Sequence, residues 1–187
     1  MKYLIVSQPK AGTHLCANLL TEFGLQNSNL LLFPERYIKW QDWESDKFHD
    51  SQRVDMKFQL SIELVPDNTF AMTHITPDRH NCKELTQDFK KILITRNTDD
   101  IFESLERFKQ EKNVPVNRPV TMQRLEKTLD WALIANVFHI TFEKLINKDI
   151  DSINRLQNYL LGNIKYDSEQ AINNAIANDS PTKSSIR

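Results

Sequence analysis

Four short apolar runs constrain this chain more than any other feature: YLIV at 3–6, TFAMTH at 69–74, KILIT at 91–95 and NVFHITF at 136–142. Their apolar character is continuous rather than alternating. That pattern belongs to strands covered on both faces, as in a parallel sheet flanked by helices. Amphipathic segments fill the intervals. Residues 13–23 carry Leu15, Leu19, Leu20 and Phe23 at helical spacing, with Gly24 placed as a C-terminal cap. Residues 99–110, DDIFESLERFKQ, begin with acids suited to a helix N-terminus and repeat Ile101, Leu105 and Phe108 on one face. Two more helices are expected over about 121–134, entered through Pro119, and about 149–161, ending at Gly162. The sequence thus predicts an α/β fold, a three-layer parallel sheet between helices. At 187 residues it predicts one domain over 1–187, with the small polar residues from about 179 forming a mobile tail. The aromatic-rich segment 33–66, with Trp40, Trp43, Phe48, His49 and Phe58, has no readable pattern.

Charge and cysteine content narrow the function. A net charge of -1, without a basic stripe, argues against a nucleic-acid partner. With 40% hydrophobic and 26% charged residues, composition suggests neither disorder nor a membrane span. Cys16 and Cys82 make no disulfide framework and no zinc pattern, so they read as reduced thiols of a cytoplasmic protein. The run from Tyr3 to Val6 is too short for the core of a cleaved export signal.

The chemistry begins in SQPKAGTHL, where the first strand passes into the first helix. Glycine occurs only three times in the chain, so Gly12 marks a required backbone position rather than filler. A loop entering a helix presents unpaired N–H groups reinforced by the helix dipole, and Lys10 adds a mobile cation. Phosphate or sulfate is the natural ligand. The nucleoside triphosphatase pattern GxxxxGK[ST] is not met, because lysine here precedes the only glycine of the loop.

PKAGTHL resembles the 5′-phosphosulfate loop, PKSGTTW, of the sulfotransferases that use 3′-phosphoadenosine 5′-phosphosulfate (PAPS). A second stretch, ILITRNTDDIFES at 92–104, resembles the same family's 3′-phosphate motif, with Arg96 and Ser104 on its arginine and serine. TFEKL at 141–145 is similar to the family's YEDL segment and puts Phe142 near the adenine. The terminal SSIR resembles the start of the RKGxxGDW region, with Arg187 on an arginine that contacts the 3′-phosphate. Departures accompany these matches. Leu15 stands where a tryptophan often packs on adenine, and the rest of the RKGxxGDW region is missing.

The resemblance implies a P-loop-like sulfotransferase fold, PAPS as co-substrate and no metal. Ala11, Gly12, Thr13 and His14 would join Lys10 around the 5′ group, and Arg96 and Ser104 would hold the 3′-phosphate. Lys10 would also neutralise the departing phosphate, with Ser104 able to engage that lysine before substrate arrives. AMTHITP at 71–77 resembles the KTHLP strand end in which histidine takes the acceptor's proton, making His74 the candidate base. A neutral imidazole suits that task. His14 and Glu35 are rival bases, and Met72 replaces the lysine that often precedes the base by two positions. The acceptor, a small molecule or glycan, stays open among steroids, phenols, sugars and peptides. So does the oligomeric state. Two other functions remain: a protein binding PAPS or its product 3′-phosphoadenosine 5′-phosphate (PAP) without transfer, and a small P-loop phosphotransferase.

Overall fold

The computed structural model describes residues 1–40, 51–110 and 115–179. Seven strands form one sheet in the order β4-β3-β2-β5-β1-β6-β7. β1 (Lys2–Ser7), β2 (Gln26–Leu32), β5 (Thr69–Thr73), β6 (Phe89–Thr95) and β7 (Val137–Thr141) are its parallel part. The expected parallel sheet is therefore extended. β3 (Arg36–Trp40) and β4 (Ser51–Asp55) add an antiparallel edge next to β2, and both lie in the segment whose sequence has no clear pattern. Trp43, Phe48 and His49 fall outside the described residues, as do Arg187 and the residues beyond 179.

Alternation along the strands divides the interior into two layers. Tyr3 and Ile5 of β1, Phe70 and Met72 of β5, and Ile92 and Ile94 of β6 face one cluster. Leu4, Val6, Ala71 and Leu93 face the other. Both faces are covered, which is why these strands read as continuous apolar runs. On the first face lie α1 (Thr13–Glu22), α4 (Thr98–Gln110), α7 (Ile150–Leu161) and α8 (Ser168–Asn178), through Leu15, Leu19, Ile101, Leu105, Ile153, Leu156 and Ile172. On the second lie α2 (Phe58–Glu63), the short α3 (Cys82–Leu85) and a 3-10 turn at Asp130–Leu133, through Phe58, Ile62, Cys82 and Trp131. Burying each such side chain contributes roughly 1.5–3 kcal/mol.

The remaining helices are α5 (Arg118–Leu129) and α6 (Phe142–Ile146). α5 begins as predicted: the Asn117 side chain caps it by accepting from Val120 N, and Pro119 lies in its first turn, where no N–H is missed. α7 ends at Gly162, whose φ of 80° is the left-handed cap conformation. The predicted 121–134 helix is in fact α5 followed by the 3-10 turn, and its Trp131 is fully buried with its indole N–H donating to Ile75 O at 2.9 Å. This bond ties the segment after β5 to the end of α5. β1 lies between β5 and β6 at the centre of the sheet's parallel part, and the chain leaves it toward β2 on one side and is continued by β6 on the other. Such a switch point opens a crevice at the carboxyl ends of the strands.

Candidate active site

Three neighbouring strand ends converge there. β1 leads into residues 8–12, β5 ends before His74, and β6 ends before Arg96. The register pairs Val6 with Thr73 and Ser7 with Ile94, so the next residues of all three strands emerge side by side.

The β1–α1 loop is tightly shaped. Lys10 has φ 63° and Gly12 has φ 90°, both left-handed, and Ala11 N closes a turn on Gln8 O at 3.2 Å. A left-handed lysine is unusual and requires the surrounding loop to hold it. Gly12 has a second reason to lack a side chain: a Cβ there would sit 2.3 Å from Cδ2 of Phe142. Phe142, the first residue of α6, closes on the loop because α6 is capped by the Thr141 side chain accepting from Lys144 N. Ala11 and Thr13 are buried, and the hydroxyls of Thr13 and Ser7 share a 2.7 Å hydrogen bond.

Gln8 knits the loop to its surroundings. Its side-chain amide donates to Leu125 O at 3.0 Å, and its Oε1 accepts from Arg96 N at 3.3 Å. Arg96 in turn donates from Nη1 to Lys10 O at 3.3 Å and stacks over the Phe142 ring, 4.4 Å from its centroid. The simple alternative, an arginine consumed by the acids of its own helix, is only loosely met. Arg96 Nε lies 3.8 Å from Asp100 Oδ2, beyond hydrogen-bonding distance, and it has no hydrogen-bond partner. A buried guanidinium nitrogen without an acceptor is costly unless a ligand supplies one.

α4 presents Asp100, Ser104 and Phe108 at successive i,i+4 positions. Its start is fixed by Asn97, whose Oδ1 accepts from Asp99 N at 2.9 Å and whose own N–H donates to Glu143 Oε1 at 2.8 Å. The expected Lys10–Ser104 contact is not formed. The Lys10 ammonium instead sits 3.9 Å from the centroid of the Phe108 ring, and the Ser104 hydroxyl has no hydrogen-bond partner among the described residues.

His74 completes the site. Its Nδ1 is 3.0 Å from Ser7 O and 3.0 Å from Ser7 Oγ. A backbone carbonyl can only accept, so Nδ1 carries the hydrogen and Nε2 keeps its lone pair. Desolvation lowers the His74 pKa to about 4, assisted by the charges of Arg124, His14 and Lys10. The ring is thus neutral at pH 7 and presents a proton acceptor. Glu35 is exposed in the connection between β2 and β3, and His14 lies near enough to His74 to influence its charge.

Leu15 and Met72, the two departures from the family pattern, are both buried in the first core cluster. Leu15 consequently offers no surface to an adenine. The sequence gives no site role to Ser7, Gln8, Phe108 or Arg124. Gln8 was recoverable from its place beside PK and Phe108 is legible only as part of the apolar face of its helix, while Ser7 and Arg124 have no pattern outside the fold.

No family model matches the sequence, and no curated protein matches it. Solved structures do. The fold superposes on a crystal structure of mouse sulfotransferase SULT7A1 complexed with PAP, with a TM-score of 0.61 and 20% identity over 95% of this chain. It also superposes on retinol dehydratase in complex with androsterone and the inactive cofactor PAP, with a TM-score of 0.58 and 13% identity over 95% of this chain. In both comparisons this chain spans 64% of the other's length. The protein therefore has the sulfotransferase fold. Among the described residues no helix is long and apolar enough to cross a membrane.

Proposed function

We propose that this chain is a sulfotransferase that moves the sulfuryl group of PAPS to a hydroxyl or amine acceptor. The observation that carries the reading is the meeting, at three adjacent strand ends, of an anion loop with Lys10, an arginine with an unpartnered buried nitrogen, and a neutral histidine. The PAP bound to both structural neighbours supports the same donor.

In this reading the amides of residues 11–14 and Lys10 hold the 5′-phosphosulfate, while Arg96 and Ser104 take the 3′-phosphate. Phe142 supports the Arg96 guanidinium and borders the nucleotide. The acceptor oxygen or nitrogen attacks sulfur as its proton passes to His74 Nε2. The bond from sulfur to the bridging phosphate oxygen breaks, its electron pair stays on that oxygen, and Lys10 leaves the Phe108 ring to neutralise the charge. The Ser7 carbonyl stabilises the imidazolium that forms. The sulfuryl group passes in line between the attacking atom and the departing phosphate oxygen, and no metal enters the scheme.

The test is transfer itself. Purified protein incubated with PAPS and panels of phenols, steroids, sugars and peptides should release PAP only when an acceptor is present, with a sulfated product visible by mass spectrometry. Binding of PAP without product from any panel would favour the non-transferring reading. Preferential binding of magnesium ATP would favour the phosphotransferase.

A further inference from the structure

The charges around His74 have one sign. Arg124, on α5, donates from Nη2 to His74 O at 3.2 Å, and Arg124, His14 and Lys10 are the charges that disfavour the imidazolium. Arg124 is itself disfavoured by desolvation and by the neighbouring charge of Arg79. No carboxylate among the described residues offsets the charge at either group. Asp78, which follows His74 by four residues, is already occupied: its Oδ1 accepts from Thr76 Oγ1 at 2.5 Å and its Oδ2 pairs with Lys127 Nζ at 3.0 Å. Neither Arg124 nor Arg79 forms an ion pair among the described residues.

Arg124 thus has a like charge beside it and no counter-ion among the described residues. Its position is informative. Lys10 belongs to the donor side, whereas Arg124 is attached to the carbonyl of the residue that would receive the acceptor's proton. Among the charges acting on the His74 ring Arg124 has the largest effect, so an acceptor poised over His74 lies within its field. The Arg124 side chain is exposed and anchored through one nitrogen, which leaves the fork able to take a planar or tetrahedral anion.

We propose that the acceptor carries an anionic group, such as a carboxylate, phosphate or sulfate ester, and that Arg124, with Arg79 beside it, recognises that group while the nucleophile rests at His74. This inference depends on the sulfotransferase reading. Arg124 is a specificity-determining residue in this scheme: it sets which acceptors bind, and the donor does not need it.

The experiment uses protein saturated with PAP and three phenols of matched size: 4-hydroxyphenylacetate, its neutral amide, and the cation tyramine. Calorimetric titration should show the anion binding at least about tenfold more tightly than the amide, with tyramine weakest. Arg124→Gln should abolish that preference and leave PAP affinity within about twofold of the parent, while Arg124→Lys should retain part of it. Equal affinities for the three phenols, or no binding of the anion to PAP-saturated protein, would overturn the proposal. A loss of PAP affinity in Arg124→Gln comparable to that in Arg96→Ala would also overturn it, by placing Arg124 on the donor. Failure of the parent protein to bind PAP is a different result, and it would remove the sulfotransferase reading beneath the proposal.

Discussion

The two sides of the crevice are built differently. On the β1–β6 side, Gln8, Lys10, Gly12, Arg96 and Phe142 interlock through backbone geometry, ring packing and bonds that span three elements. On the β5–α5 side, His74 is held only at Nδ1, by the carbonyl and hydroxyl of Ser7, and Arg124 by one hydrogen bond to the carbonyl of His74. The first side is rigid because each part excludes alternatives for the others. The second positions chemistry on a lighter frame. Substitution on the first side should therefore break donor binding, and substitution on the second should alter turnover and acceptor choice while the donor still binds.

The largest expected effect separates the sides most cleanly. His74→Ala should lower sulfuryl transfer by about 10²- to 10⁴-fold, the usual worth of a positioned base, with PAP affinity within about twofold of the parent by calorimetry. An equal loss of PAP binding would erase the distinction. Gly12→Ala comes next. It forces a side chain into a left-handed backbone and against the Phe142 ring, which together cost roughly 2–5 kcal/mol by chemical denaturation and abolish PAP binding. Adding Phe142→Leu should recover part of the stability, because the nearest clash is with the ring.

Arg96→Ala should weaken PAP binding by about 2 to 4 kcal/mol and barely change binding of adenosine 5′-phosphate, since a charge-assisted contact to the 3′-phosphate is lost. Equal losses would mean that Arg96 serves only to shape the loop through Lys10 O. The smallest effect belongs to Phe108→Leu, which removes the resting place of Lys10 and should change stability by about 0.5–1 kcal/mol.

Acid also sharpens the contrast. The His74 pKa is depressed in the folded protein to about 4, so the unfolded chain takes up the proton first as pH falls. The stability that this group contributes is present in full above about 6.5 and is lost as pH falls toward 4. In denaturation curves at stepped pH, His74→Gln should flatten that part of the profile. The acid limb of kcat/KM should lie near 4 in the parent and move upward in Arg124→Gln, where one opposing cation is gone.

Much of the fold was readable because local and tertiary signals agree. β1, β5 and β6 are apolar on both faces, α1 and α4 have clean stripes, and Pro119 and Gly162 mark the ends they were expected to mark. β2 was not visible. Its first half is polar, and its pairing with β5 is interrupted between Asn27 and Leu31, where Asn29 takes φ 58°. α8 was missed for a related reason: Ala171, Ile172 and Ala175 make a narrow stripe whose value appears only when it packs on α1. At the site, Lys10, Gly12 and Arg96 carry local motifs and were legible. Ser7 and Arg124 act through bonds spanning 67 and 50 residues, and no window of sequence contains both partners.

The most direct measurement is a calorimetric titration of the purified chain with PAP, set beside adenosine 5′-phosphate and magnesium ATP. The account predicts selective binding of PAP, tighter than adenosine 5′-phosphate by at least about a hundredfold through the 3′-phosphate contact. Equal affinity for PAP and adenosine 5′-phosphate, or preference for ATP, would contradict it.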